Sequence, residues 1–382
     1  MFVDIYAVQN VPPSNINRDE TGNPKTAQYG GVLRSRVSSQ AWKRAMRDTF
    51  KSLLDKKQLG VRTKNAVELI VRAMVEQQPA GSADQAESYA SMVLQAIGVE
   101  TVASTRAGAA SGKQVTKPLI FIGNTEIGKL ATIALEWMDQ GKDLDKAPTS
   151  EKKKMKKEVS AVFHGEQAVD IALFGRMLAD APDLNTDASA QVAHAISVDA
   201  IKPEYDYFTA ADDFTEADNA GAAMIDSVGF NSSTLYRYAT VNLDALQEQI
   251  GNVEATARVA SVFVEAFIRS MPTGKQNSYA NRTLPETCIV AFRDSQPINA
   301  VEAFERPVAA EHDQPISQVA GRRLVAELRR IQDAYDEQPV RAWAISTDLS
   351  TQDLAPVAES VGLKDLTSQV GAETMRVLGQ QE

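Results

Sequence analysis

The run Gly30 to Arg47, GGVLRSRVSSQAWKRAMR, concentrates residue types that bind phosphate. Arg34, Arg36, Lys43, Arg44 and Arg47 bring positive charge, and Ser38, Ser39 and Gln40 stand among them as neutral hydrogen-bonding groups. Guanidinium and ammonium groups pair with phosphate oxygens, and short polar side chains complete the shell around them. Repeated phosphates suit such a row of charges better than one small anion.

The elements that must hold these groups follow from the spacing. Alternation through Val32, Leu33, Arg34, Ser35, Arg36 and Val37 predicts an extended segment, with Arg34 and Arg36 on one face and Leu33, Ser35 and Val37 on the other. Ser38 or Ser39 then caps a helix. On that helix Trp42, Ala45, Met46 and Phe50 share an apolar side, while Lys43, Arg44, Arg47 and Lys51 share a basic arc. Free backbone N–H groups and the positive dipole end at the helix start favour an anion near Ser38, Ser39 and Gln40. An ordinary surface helix with solvated charges is the plain alternative. Upstream, Pro12, Pro13, Gly22, Asn23 and Pro24 predict a long irregular segment over residues 10–30, and it carries Arg18 and Lys25.

The blocks Asn17-Arg18-Asp19, Tyr29-Gly30-Gly31 and VSSQAWKRAMR resemble the CasC family, the backbone subunit of type I-E CRISPR Cascade surveillance complexes. Val169–Met177 (VDIALFGRM), Ala193–Ile196 (AHAI), Asp206–Asp213 (DYFTAADD), Ser232–Leu243 (SSTLYRYATVNL) and Gly274–Ala280 (GKQNSYA) match further blocks of that family in the same order. Residues 52–150 and 294–382 carry little of the likeness.

The resemblance implies an α+β fold with a ferredoxin-like, RNA-recognition-type antiparallel sheet core, the palm, at 1–58, 166–192 and 229–382. A large helical insertion, the fingers, is expected at 59–165, and a projecting β-hairpin, the thumb, at 193–228. It implies a non-catalytic subunit that polymerises head to tail along a CRISPR guide RNA, displaces bases at regular intervals and supports pairing with target DNA in antiviral defence. Other Cascade subunits and a recruited helicase-nuclease are the further partners. The guide backbone would be held by Arg18, Lys25, Arg34, Arg36, Ser38, Gln40, Lys43, Arg44, Arg47, Arg176 and Lys275. Met177, Phe208 and Thr209 would displace bases, where an inserted side chain recovers about 1–3 kcal/mol per stacked base. Core roles are the alternative for Phe208 and Met177, and a helix C-cap at Gly274 with Lys275 as dipole partner is the alternative there.

A second basic run, Glu151 to Lys157 (EKKKMKK), reads as a helix with Lys152, Lys153, Lys156 and Lys157 on one arc and Met155, Val159 and Val162 on the other. Family likeness suggests a track for target DNA; a solvated helix near a linker is the alternative.

Composition bounds the remaining classes. The 382 residues carry 40 Lys and Arg against 50 Asp and Glu, a net charge of −10, which opposes nonspecific nucleic-acid affinity. The cations nonetheless gather at 34–51 and 151–157, so a basic groove on an acidic body is consistent with the sum. One cysteine, Cys288, excludes an internal disulfide and fits a reducing compartment. Three histidines with no Cys/His spacing point to no metal and no cofactor. No apolar run predicts a membrane span, and cytoplasmic residence is expected. Gly108–Lys113 (GAASGK) falls one residue short of a phosphate-binding loop, and Gln114 replaces its Ser/Thr, which argues against nucleotide hydrolysis. Two other readings stay open: a target-RNA endonuclease on the same backbone fold, with Asp19 as catalytic residue, and a general single-strand RNA-binding protein.

The expected layout is an open antiparallel sheet with helices on one face. Phe2–Val8 should be a central strand, residues 59–165 mostly helical, Val169–Phe174 and Leu235–Leu243 strands, and 255–271 an amphipathic helix carrying Val259, Val262, Phe263, Ala266 and Phe267.

Overall fold

The computed structural model describes residues 1–79, 83–105, 112–143, 146–178, 180–210, 224–311 and 313–380. The chain divides into two compact units, one of residues 1–49, 191–243 and 260–382, the other of 50–190 and 244–259. The expected palm covered 1–58, 166–192 and 229–382; by compactness, 50–58, 166–190 and 244–259 fall in the second unit.

The first unit is built on a large sheet. Strand β1 (Phe2–Ser14) lies between the long strand Met224–Asn242 and the strand Thr287–Arg293, antiparallel to both. Beyond Thr287–Arg293 come Arg341–Ser346 and the short Glu359–Ser360, the latter parallel. On the other side Met224–Asn242 pairs with Ala195–Ser197, then come β3 (Val32–Val37) and the edge strand β2 (Thr26–Tyr29). The run Val3–Gln9 is buried throughout, as a central strand requires. The turn Gly30-Gly31 joins β2 to β3 with φ +60° and +78°, the left-handed pair that a tight two-residue hairpin needs. A side chain at Gly30 would also collide with the Glu305 carbonyl.

Helices cover both faces of this sheet, not one. Tyr6, Val8, Tyr236 and Tyr238 pack with Val319, Leu324 and Leu328 of helix Ile316–Tyr335. The opposite parity, Val11, Val37 and Leu235, packs with Trp42 of α1 (Ser39–Leu53) and Met271. Residues 294–382, whose sequence carried little of the likeness, supply the helix over the first face.

A buried cation fixes α1. Arg237 lies between the rings of Trp42 and Phe267, with its guanidinium carbon 3.7 and 4.3 Å from their centroids. It donates to Gln9 Oε1 at 2.6 Å and to the Phe267 carbonyl. Burial pushes its pKa down to about 9, so it stays charged at neutral pH and the aromatic faces and carbonyl dipoles stabilise that charge.

The second unit packs helices Ala66–Gln77, Ala83–Ala96, Asn124–Asp139 and Thr149–Phe163 around Ile70, Met74, Val93, Leu130, Met155 and Val159. Short strands Gly60–Thr63 and Ile120–Gly123 pair within it, as do Thr101–Ala103 and Gln114–Thr116, where mostly helix was expected. Val169–Phe174 is a short helix, not a strand, and ends at Gly175 with φ +77°. Its Asp170 carboxylate accepts the Gly60 amide at 2.7 Å, a tie to a distant segment that six residues of alternation do not reveal. No helix among the described residues is long and apolar enough to cross a membrane.

Candidate nucleic-acid interface

The segment between β1 and β2 is shorter and more ordered than a 10–30 loop, because β1 runs to Ser14 and β2 opens at Thr26. Asp19 organises it. Its Oδ1 accepts the Thr21 amide (2.9 Å), the Thr21 hydroxyl (2.7 Å) and the Asn23 amide (3.1 Å). The Thr21 hydroxyl, aided by those amides, holds the Asp19 carboxyl below its ordinary range. Asn15 ties the base of the loop to the Gly22 and Gly229 carbonyls at 2.9 Å each. Arg18 is exposed on this frame, and Lys25 is half-buried where the loop joins β2.

Asn17 links the loop to the helix start. Its Oδ1 accepts the Ser38 amide at 2.8 Å, and its carbonyl accepts the Lys25 amide at 2.9 Å. Ser38 is the helix cap: it is buried, with its hydroxyl 3.4 Å from the Ala41 amide, so its main work is to shape the junction. Trp42, Ala45, Met46 and Phe50 are buried as the apolar side of α1, Gln40 and Arg44 are exposed, and Lys43 and Arg47 are half-buried. The first turn of α1 contains no acidic residue, which leaves its positive end uncompensated.

The GKQNSYA segment reaches the same place. The backbone of Gly274 packs against the Asn15 and Ile16 carbonyls so closely that any Cβ would clash. The preceding helix ends at Arg269, so Gly274 is not its C-cap. Lys275 follows in the left-handed region, φ +51°, and opens the short helix Gln276–Tyr279. Ile16, Arg18, Asp19, Glu20, Gly22 and Gly274 are among the residues around one open cleft of about 500 Å³.

Beyond the sheet, Glu204–Ala210 pairs with Met224–Phe230 as a hairpin. The expected thumb began at 193, but Ala195–Ser197 belongs to the main sheet. Phe208 is half-buried opposite Asp226 and Thr209 is exposed opposite Ile225; Tyr205 and Tyr207 are also exposed. The acidic stretch between 211 and 218 lies outside the described residues.

Two expected contacts are corrected. Arg34 is 0% exposed, because the segment at Phe304-Glu305 covers the strand face that alternation left open. Its guanidinium donates to five carbonyls: Tyr29 (3.1 Å), Ser197 (3.0 Å), Val198 (2.6 Å), Phe304 (2.8 Å) and Glu305 (3.1 Å). Arg176 is equally enclosed in the helical unit, with Nη1 2.8 Å from both Glu126 carboxylate oxygens and Nη2 on the Phe163 carbonyl. Both guanidiniums are enclosed by intramolecular partners and hold the fold together.

Met177, next in sequence, behaves oppositely. At 80% exposure it is no core residue, and the turn at Gly175 sets it outside while Arg176 turns in. Lys152, Lys153, Lys156 and Lys157 are exposed on helix Thr149–Phe163, above buried Met155, Val159 and Val162. Most of GAASGK lies outside the described residues.

Sequence reading missed His194. It is exposed, and its Nδ1 stands 3.3 Å from Arg36 Nη1. Partial burial, then the charges of Arg36 and Lys25, holds the imidazole pKa below its ordinary value. The only advance signal was its place inside the Ala193–Ile196 block. Among the described residues no group of three or more His, Cys, Asp or Glu is arranged to hold a metal ion.

Comparison with known proteins points one way. A chain of a solved structure titled "CRISPR RNA-guided surveillance complex, pre-nicking" is 32% identical, with a TM-score of 0.84 over 98% of this chain and 100% of the other. A chain from a second structure, "CRISPR RNA-guided surveillance complex", is 27% identical, with a TM-score of 0.72 over 97% and 100%. No curated protein matches. The likeness to CasC-type subunits therefore extends over nearly the whole chain, including the parts whose sequence carried little of it. The model of the CT1975-like proteins, Cas_CT1975, matches residues 3–369, and this chain belongs to that family.

Proposed function

We propose that this chain is the guide-RNA-binding backbone subunit of a Cascade-type surveillance complex. Several copies polymerise head to tail along one CRISPR RNA, and the hairpin of each displaces a base at a regular interval. The intervening bases are held ready to pair with target DNA. The observation that carries this reading is the convergence of the Asn15–Lys25 loop, the α1 N-terminus and the Gly274–Tyr279 segment on one another, in a fold shared with chains of RNA-guided complexes. Arg18, Lys25, Arg36, Gln40, Lys43, Arg44, Arg47 and Lys275 hold guide phosphates, with Ser38 shaping the helix start that faces them. Met177, Phe208 and Thr209 act on the displaced base, and Lys152, Lys153, Lys156 and Lys157 attract the incoming DNA. Specificity comes from base pairing while the protein reads backbone and shape.

The role is non-catalytic; cutting falls to a recruited helicase-nuclease, and other Cascade subunits complete a cytoplasmic antiviral complex. Asp19 supports this assignment, since one carboxylate oxygen already closes its own loop with three hydrogen bonds.

The test is a base-by-base chemical footprint of RNA in the complex purified after co-expression with a guide-bearing transcript. Reactive bases recurring at a constant interval are expected, and Met177→Ala should change their reactivity without altering the interval. A patternless footprint refutes the reading and leaves a general RNA-binding protein. Metal-dependent cutting of a complementary RNA that Asp19→Ala abolishes would replace it with the endonuclease reading.

A further inference from the structure

We infer that His194, Arg36 and Lys25 form one phosphodiester-binding site in which His194 is a ligand in its protonated state. The inference rests on the guide-binding reading above and adds to it a residue and a proton.

The three groups come from separate segments and are brought together by the sheet. Arg36 lies on β3, Lys25 precedes β2, and His194 immediately precedes the strand that pairs with β3 through Arg36↔Ile196 and Val37↔Ala195. The Arg36 amide donates to the Lys25 carbonyl at 2.9 Å, which locks the two backbones together. The Arg36 side chain is fixed as well: Nε donates to the Thr26 carbonyl at 3.1 Å, and Nη1 stands 3.3 Å from His194 Nδ1. Its Nη2 makes no hydrogen bond to the described residues. A guanidinium held this way presents one edge with a defined direction; the ring stands beside it, and the Lys25 charge acts on that ring.

The charges acting on the ring are Arg36 and Lys25, both positive. An ordinary pair of this kind would include a carboxylate, and among the described residues no salt bridge answers Arg36 or Lys25. Free of ligand, the imidazole is neutral at pH 7, and Nδ1 can accept from Arg36. A phosphate oxygen arriving beside Nη2 supplies the missing negative charge. The ring then takes a proton, turns both nitrogens into donors, and releases Nη1 to the same anion. The bound state has the higher imidazole pKa, so affinity rises as pH falls through it and levels off below the free-state value. One proton taken up on binding changes affinity by at most about tenfold per pH unit between those limits.

The experiment is filter binding of a radiolabelled single-stranded RNA to the full chain from pH 8 to pH 5.5 at fixed salt, for the wild type, His194→Gln and His194→Lys. On going from pH 8 to pH 6 the wild type should tighten roughly three- to tenfold more than His194→Gln. His194→Lys, charged throughout, should bind tightly at pH 8 and lose the pH dependence. Superimposed pH profiles for all three proteins, with RNA bound, overturn the inference and leave the guide-binding reading standing. Absence of saturable RNA binding by the wild type at every pH overturns both.

Discussion

Replacing Arg34 by lysine tests whether sequence position or enclosure decides what an arginine in this basic run does. The guanidinium reaches five carbonyls on three separated segments, Tyr29, Ser197-Val198 and Phe304-Glu305. An ammonium has three donors and a different shape, so at least two of those bonds are lost. The Val198 carbonyl keeps a partner in the Val308 amide, which limits the damage there. Buried hydrogen bonds to a charged group contribute about 1.5–3 kcal/mol each, so Arg34→Lys should cost roughly 3–5 kcal/mol. For a domain of about 150–250 residues this lowers Tm by roughly 6–20 °C. Scanning calorimetry without RNA reads it directly, as a shift of the transition of the sheet unit. Arg18→Ala is the control: Arg18 is exposed, so Tm should stay put while RNA affinity falls and the salt slope shrinks by about 0.7. An Arg34→Lys protein whose Tm lies within about 2 °C of the wild type would refute the assignment of Arg34 to the fold.

Arg176→Ala leaves the Glu126 carboxylate buried without its partner and should destabilise the helical unit by about 3–5 kcal/mol; Arg176→Ala with Glu126→Gln should recover part of it in a double-mutant cycle by urea unfolding. Lys43→Ala should reduce the slope of log affinity against log salt by about 0.7 for one lost phosphate, and an unchanged slope removes Lys43 from the interface. Burial pushes the Cys288 thiol up to about 12, so it should resist iodoacetamide at pH 8 and react only as the protein unfolds, read by mass spectrometry across a denaturant series.

Local periodicity was a good guide wherever one element met the core by itself. The buried side of α1, the buried Val3–Gln9 run and the Met155, Val159 and Val162 stripe under the lysines all follow from spacing. In helix Val253–Arg269, Val259, Phe263, Ala266 and Phe267 are buried as well. Periodicity failed where a distant segment decided the outcome. Arg34 and Arg36 do share a strand face, but Phe304-Glu305 closes over the first and leaves the second beside His194, and nothing near residue 34 encodes that lid. Arg176 reads as a surface cation until Glu126 arrives from another helix. Of the interface, the loop and helix start were legible because polar and glycine residues cluster there. His194 was not, because a lone histidine acquires meaning only from the neighbours that strand pairing brings to it.

The continuous strand Met224–Asn242 makes the hairpin a cantilever. Residues from Asn231 onward are clamped in the sheet by β1 and Asn15 holds the Gly229 carbonyl at the hairpin base, while Met224–Val228 continues outward paired with Asp206–Ala210. At about 3.3 Å per residue the paired overhang beyond that tie reaches roughly 17 Å without an intervening joint. The distance from guide backbone to displaced base would thus be a ruler cut into the chain, readable in strand residues. Lengthening both hairpin strands by two residues would move its marks outward by about 7 Å and keep every side chain on its face, whereas a single-residue extension would turn Phe208 and Tyr207 about and exchange their roles.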